Sequence, residues 1–499
     1  MTIDDMTPSS SVGFGDRTDL VNRAAKSVKW SFLYNAIPRL VTPFSTMILA
    51  ALLTPADFGL VAISTLVIAL ARIVVEMGFS QTVIQRETQV NAVASTGLWI
   101  SLLLSGWMYL ALWVGAPRLA GVYRNAQVVD VVRVAALALP LASLIAFPSA
   151  LMRRSLEFGR LFWVNTSFLV VSALASVVLA GLGAGAWALI WGQIIGMTIS
   201  AGLAWRLSSW RPMFGINWSI LPSMLKFGSW VMVGGFLNWL FLYVGVTVAG
   251  LFLSVEELGT FSLGFSVATV VPFFVMAALG DVAYPAFCTM RKNPQEIGKN
   301  LLKIQTLTGA VLFPVALGIS AIAPAAVHLL YGSKWTGLGT VISILVIMPG
   351  LGQIWSLNEA AYQAAGRPDL WAKVGGLSML VILPLLWQMG PHGLLAFTLG
   401  RFSGAWILPL CNIFLSARIL KIGIRDQLKA FGPVLMLSLG MFAGVVLLTR
   451  QGSSYEGIIG CIKLISTVFV GVAAYLFLVR CFQRELWNWF FLSLRRLRS

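Results

Sequence analysis

The sequence is poor in charge, in acidic residues and in the residue types that build metal or disulfide frameworks. Only 11% of its 499 residues are charged and 58% are hydrophobic, whereas a soluble domain carries roughly 25% charged residues. A chain made mainly of soluble domains is therefore excluded. The four cysteines (Cys288, Cys411, Cys461 and Cys481) lie far apart with no ligand-like spacing, and neither His328 nor His392 has a ligand partner nearby. No metal centre, disulfide or cofactor is expected. A Gly-x-x-x-x-Gly-Lys-Ser/Thr loop is absent, so ATP hydrolysis by that route is excluded. Long hydrophilic connections are missing on both faces, which leaves no room for a catalytic domain outside the bilayer. The polar residues 1–27 lead into a full-length apolar segment, and no cleavable signal peptide is expected.

What the chain has instead is apolar length. Segments of about 20 to 25 residues between charge clusters suffice to cross a hydrocarbon core about 30 Å thick at about 1.5 Å per residue. Runs such as Phe168 to Leu182 do not alternate, so they do not read as barrel strands, and in lipid such a run must satisfy its own backbone as a helix. Spans are expected near 30–53, 58–79, 93–115, 128–150, 161–182, 186–206, 228–252, 258–282, 301–324, 338–362, 370–389, 391–415, 430–449 and 457–480. The net charge of +17 does not indicate nucleic acid, because the positions of the charges follow topology. With the N-terminus inside, most of the 35 lysines and arginines fall in cytoplasmic segments, and the outer loops hold only Arg118, Arg124, Lys334 and Arg450. This is the positive-inside asymmetry, with attraction to anionic membrane lipids added.

The chain also repeats. A shift of 200 residues places Lys26 on Lys226, Trp30 on Trp230, Leu53 on Leu253 and Gly59 on Gly259. Six spans separate the copies, an even number, so the copies have one orientation and form a parallel repeat. The expected fold is all-α and polytopic, with about fourteen transmembrane helices as two six-helix parallel repeats plus two extra helices. Its parts are a cytoplasmic tail (1–27), a first half (28–207), an interfacial linker (208–227), a second half (228–416), two additional helices (417–482) and an interfacial basic and aromatic tail (483–499).

Charges inside spans cost about 2.5–3.5 kcal/mol on insertion scales, so they mark the places to look for function. Asn35, Arg39, Thr42 and Thr46 share one face of the first span. Arg72 lies in the second span at a depth that matches Arg39. Two arginines on a polar face suit a phosphate or diphosphate, which guanidinium binds in a bidentate way. Arg401 sits near the middle of the twelfth span. Glu76, four residues after Arg72, is either an ion-pair partner or a carrier of a coupling proton. Lys463 lies near the outer side of the last span, where snorkelling is easy. Asp281 and Glu359 lie near inner ends and read as interfacial. Asn238, Gln193 and Gln353 could bond a sugar or join helices.

The stretches Val28-Lys-Trp-Ser-Phe, Leu52-Leu-Thr-Pro-Ala-Asp-Phe-Gly-Leu-Val-Ala and Glu76-Met-Gly-Phe-Ser-Gln-Thr-Val-Ile-Gln-Arg resemble those of bacterial polysaccharide transporters. These belong to the multidrug/oligosaccharidyl-lipid/polysaccharide flippase superfamily. Leu156-Glu-Phe-Gly-Arg-Leu, Gly183-Ala-Gly-Ala-Trp-Ala-Leu and Ala364-Ala-Gly-Arg-Pro-Asp-Leu add to the resemblance, which weakens after about residue 430. It implies a flippase for undecaprenyl-diphosphate-linked oligosaccharide repeat units of O-antigen, capsule or exopolysaccharide, working by alternating access in the inner membrane. Both termini would be cytoplasmic, and polysaccharide assembly proteins are candidate partners. The charge-poor second half departs from the most basic members. A peptidoglycan-precursor flippase, a drug/cation antiporter, and a membrane-embedded polymerase or glycosyltransferase are the rival readings.

Overall fold

The computed structural model describes residues 41–290, 293–367, 369–451 and 456–483. The regular structure among them is helical. In chain order the α-helices are α1 (Val41–Leu52), α2 (Pro55–Glu76), α3 (Phe79–Gln85), α4 (Val90–Val122), α5 (Gln127–Ala135), α6 (Ala138–Arg154), α7 (Phe158–Gly181), α8 (Ala186–Leu207) and α9 (Leu221–Phe252). They continue as α10 (Val255–Thr289), α11 (Pro294–Tyr331), α12 (Leu338–Gly352), α13 (Leu357–Ala364), α14 (Asp369–Met389), α15 (Gly393–Ala405), α16 (Ile407–Ile419), α17 (Ile424–Gln451) and α18 (Gly457–Phe482). Among the described residues, 11 helical stretches are long and apolar enough to cross a membrane. The chain is thus an all-α polytopic membrane protein with about eleven such stretches.

Several expected spans are interrupted in the structure. The span near 128–150 is two helices, α5 and α6, parted at Ala136–Leu137. Pro140 explains the break: it has no N–H to offer the Ala136 carbonyl, and Leu139 N–H donates to that oxygen instead at 3.0 Å. The span near 338–362 is α12 and α13 with a 3₁₀ turn at Gln353–Ser356 between them.

The chain divides into two compact units. Among the described residues, the first contains those of 41–49, 67–117 and 129–238, and the second those of 50–66, 118–128 and 239–483. Lipid tails are as apolar as leucine, so packing and hydrogen bonds hold such helices together within the bilayer. In the first unit, Phe79, Val83, Leu98, Phe147 and Met224 form a buried hydrophobic cluster. The segment leading into α9 is stitched to α4 beside it. Trp99 Nε1 donates to the Met213 carbonyl at 2.9 Å, Met213 N to Ser95 Oγ at 2.9 Å, and Asn217 N to Thr96 Oγ1 at 3.1 Å.

The second unit is tied by a buried polar chain. Gln305 Nε2 donates to Asn358 Oδ1 at 2.6 Å, Asn358 Nδ2 to Tyr362 Oη at 3.1 Å, and Tyr362 Oη to Asn412 Oδ1 at 3.1 Å. All four side chains are buried. The chain joins α11, α13 and α16 and gives each of these buried side chains a hydrogen-bond partner.

Candidate functional site

The first unit contains a polar cavity of about 340 Å³ walled by α2, α3, α6, α7 and α8. Arg72 and Glu76 enter it from the last turns of α2. Their ion pair has Arg72 Nε donating to Glu76 Oε1 at 2.5 Å, with the arginine about half exposed. Local sequence sets this position. Met77 and Gly78 take positive φ values of 36° and 65°, a conformation that glycine adopts without penalty, and the chain turns there into α3. Gly78 is also needed for space, since a Cβ would lie 2.7 Å from Cβ of Val231.

Across the cavity α6 supplies Ser149 and Arg153, α7 supplies Asn165, and α8 supplies Gln193 and Ser200. Ser149 is 9% exposed, and its hydroxyl has no hydrogen-bond partner. An unpartnered buried hydroxyl costs free energy, and this one is almost fully covered within the cavity wall. Asn165 Nδ2 is committed to the Leu161 carbonyl at 2.9 Å, and Ser200 Oγ to that of Val164 at 2.9 Å. The neighbouring Arg154 is turned away from this task. Its Nη1 donates to the carbonyls of Ile84 at 2.9 Å and Val83 at 3.3 Å and also to that of Arg86, closing the C-terminal end of α3. The cavity's charged lining is therefore two arginines against one carboxylate, which favours an anionic ligand.

Of the residues singled out from sequence, the structure brings Arg72, Glu76 and Gln193 together. Thr42 and Thr46 lie on α1, the first exposed and the second half-buried. Asn35 and Arg39 lie outside the described residues, as does the tail from 484 onward. Arg401 belongs to the second unit. It is half-buried on α15, with its guanidinium carbon 5.5 Å from the centre of the Phe265 ring. A Cβ on Gly245 would lie 3.6 Å from its Nε. None of the ion pairs among the described residues involves Arg401. Lys463 is half-buried on α18. Glu359 accepts from Gln363 Nε2 at 3.2 Å. Asn238 lies on α9, and Gln353 opens the turn between α12 and α13. Ser149, Arg153 and Asn165 were not singled out from sequence. Among the described residues no cluster of His, Cys, Asp and Glu could hold a metal ion.

A bundle of membrane-spanning helices enclosing an arginine-bearing polar cavity has the build of a membrane transporter. Residues 48–341, more than half of the chain, match the family model described as polysaccharide biosynthesis protein, and the chain belongs to that family. It is similar to the lipopolysaccharide biosynthesis protein WzxC of Escherichia coli, with 23% identity over 80% of each chain. It is also similar to the succinoglycan biosynthesis transport protein ExoT of Rhizobium meliloti, with 24% identity over 65% of this chain and 66% of that one. Among solved structures, an inward closed conformation of the lipid II flippase MurJ shares the fold, with a TM-score of 0.74, 13% identity, and coverage of 92% of this chain and 99% of that one. The protein is thus an all-α, multi-pass membrane protein of a polysaccharide-biosynthesis family, with the fold of a solved lipid flippase.

Proposed function

We propose that the protein flips undecaprenyl-diphosphate-linked oligosaccharide repeat units from the inner to the outer leaflet, for O-antigen, capsule or exopolysaccharide. The observation that carries the reading is the first-unit cavity, which both Arg72 and Arg153 line. A diphosphate matches two guanidiniums in charge and in hydrogen-bond geometry. At about 340 Å³ the cavity suits a diphosphate with an adjoining sugar better than a whole repeat unit. The sugars beyond would then lie outside it and the prenyl tail would stay in the bilayer. Arg39, Asn35, Thr42, Thr46 and Arg401 are further substrate-facing residues in this reading, and Glu76 serves either as the resting partner of Arg72 or as a proton carrier.

The reading includes fourteen spans with both termini cytoplasmic. The 35-residue α10, a second pass within residues 369–419, and a first span ending in α1 complete that number beside the eleven stretches. The halves are residues 28–207 and 228–416, joined by the linker 208–227, with 417–482 as the added pair of helices and 483–499 as an interfacial tail. Membrane lipids and polysaccharide assembly proteins are the surrounding partners. A drug/cation antiporter would need an unpaired deep carboxylate, whereas the cavity's one carboxylate, Glu76, is paired with Arg72. The test is lipid-linked sugar analysis in a host whose own copy is replaced by Arg72→Ala. Accumulation of diphosphate-linked repeat units with loss of surface polymer is expected. Normal surface polymer with the variant at parental membrane level would contradict the site.

A further inference from the structure

The helices α2 and α10 begin with the same device, 200 residues apart. Thr54 Oγ1 donates to Asp57 Oδ2 at 2.6 Å and its backbone N donates to the same oxygen at 2.8 Å, while Asp57 N donates back to Thr54 Oγ1 at 3.3 Å. Ser254 N likewise donates to Glu257 Oε2 at 3.0 Å and Glu257 N to Ser254 Oγ at 3.2 Å. Both are capping boxes, preceded by the buried Leu53 and Leu253. These two helix starts touch each other within the second unit, and they touch reciprocally. A Cβ on Gly59 would overlap the Val255 carbonyl oxygen. One on Gly259 would overlap the Pro55 carbonyl oxygen and lie 2.7 Å from Gly59 N. Pro55 and Val255 are themselves a repeat-related pair. A contact in which i meets j while the mate of i meets the mate of j is isologous, the signature of a two-fold axis.

Aromatic residues complete the arrangement. Trp335, beyond the end of α11, donates its Nε1 to the Ala50 carbonyl at 2.7 Å and meets Phe58 edge to face at 5.3 Å, while Lys334 Nζ reaches the Leu52 carbonyl at 3.2 Å. Position 250, the mate of Ala50, is a glycine. A Cβ there would meet the ring of Tyr123, which lies just beyond the end of α4.

We propose that Gly59 and Gly259 form a self-complementary junction on a local pseudo-two-fold axis between the repeats, and that substrate passage requires this junction to part. The proposal rests on the transporter reading above and goes beyond it. The contact is mainly backbone against backbone, with the Val255 side chain alone beside Gly59, so it can separate and re-form as a discrete two-state element. It tolerates no side chain at either glycine, so enlarging one side disfavours the joined state alone.

The test uses the full chain in membranes, with Cys288, Cys411, Cys461 and Cys481 replaced by serine and Ile63→Cys as reporter. Ile63 is 0% exposed on α2, one turn beyond Gly59. A membrane-impermeant maleimide is applied to either face. Gly259→Leu is expected to raise Ile63→Cys labelling from the outer face roughly tenfold, a population shift of about 1.4 kcal/mol, and to make lipid-linked repeat units accumulate. Gly106→Leu, at a position with nothing within 4 Å of the added Cβ, leaves both readouts at the parental level. Gly259→Leu present in the membrane with labelling unchanged overturns the junction. If that variant fails to reach the membrane, Gly259→Ala is read in the same way, with a smaller rise expected. Raised labelling with undisturbed export overturns the link to passage while the junction stands. Raised labelling only from the cytoplasmic face overturns the assigned orientation instead.

Discussion

At the scale of single residues, the account turns on what an arginine can do that a lysine cannot. Arg72→Ala is expected to abolish surface polymer. Arg72→Lys should retain only part of it, because an ammonium keeps the charge but loses the bidentate fork. Both variants should insert normally, and the check is surface polysaccharide measured against membrane protein level. Arg39→Ala should likewise abolish transport without loss of insertion. Lys463→Ala should be mild, since its charge lies near an interface that a lysine reaches by snorkelling; a loss of transport comparable to that of Arg72→Ala would contradict this. Arg72 and Glu76 were legible in the sequence because a charge in an apolar run is conspicuous. Ser149 and Asn165 were not, since small polar residues in such helices more often join neighbours, and nothing local reveals that one hydroxyl lacks a partner. Arg153 was hidden among the basic residues that set topology.

At the scale of elements, helix existence was legible and continuity was not. Apolar length predicted spans near 128–150 and 338–362, while the structure splits both into paired helices. Pro140 marks the first break, but proline is common in membrane helices and several others lie inside helices here, among them Pro148 in α6 and Pro314 in α11. The second break, at Gln353–Ser356, follows Pro349, Gly350 and Gly352 at the end of α12. It is followed by Asn358 and Tyr362, whose side chains bridge α13 to α11 and α16. Tyr362→Phe removes the hydroxyl that accepts from Asn358 and donates to Asn412. The expected cost is about 1 kcal/mol for the one interhelical bond lost, that to Asn412. A lower thermal inactivation temperature in detergent, with transport retained at growth temperature, is the expected result. An unchanged temperature would contradict the role assigned to this polar chain.

At the scale of the whole molecule, two kinds of sequence signal led to the architecture: the distribution of basic residues and the 200-residue repeat. At positions 200 residues apart, the structure has matched capping boxes at Thr54 and Ser254 and a reciprocal approach of Gly59 and Gly259. Sequence offered the matching letters but not the fact that the matched segments touch, because that depends on how distant helices pack. Cargo belongs to this scale too. The measurement that bears most directly on the account is the leaflet distribution of lipid-linked sugars in a host deleted for this protein. The account predicts diphosphate-linked repeat units held on the inner leaflet, surface polymer lost, and both restored by the intact chain but not by Arg72→Ala. Repeat units reaching the outer leaflet in the deleted host would contradict it.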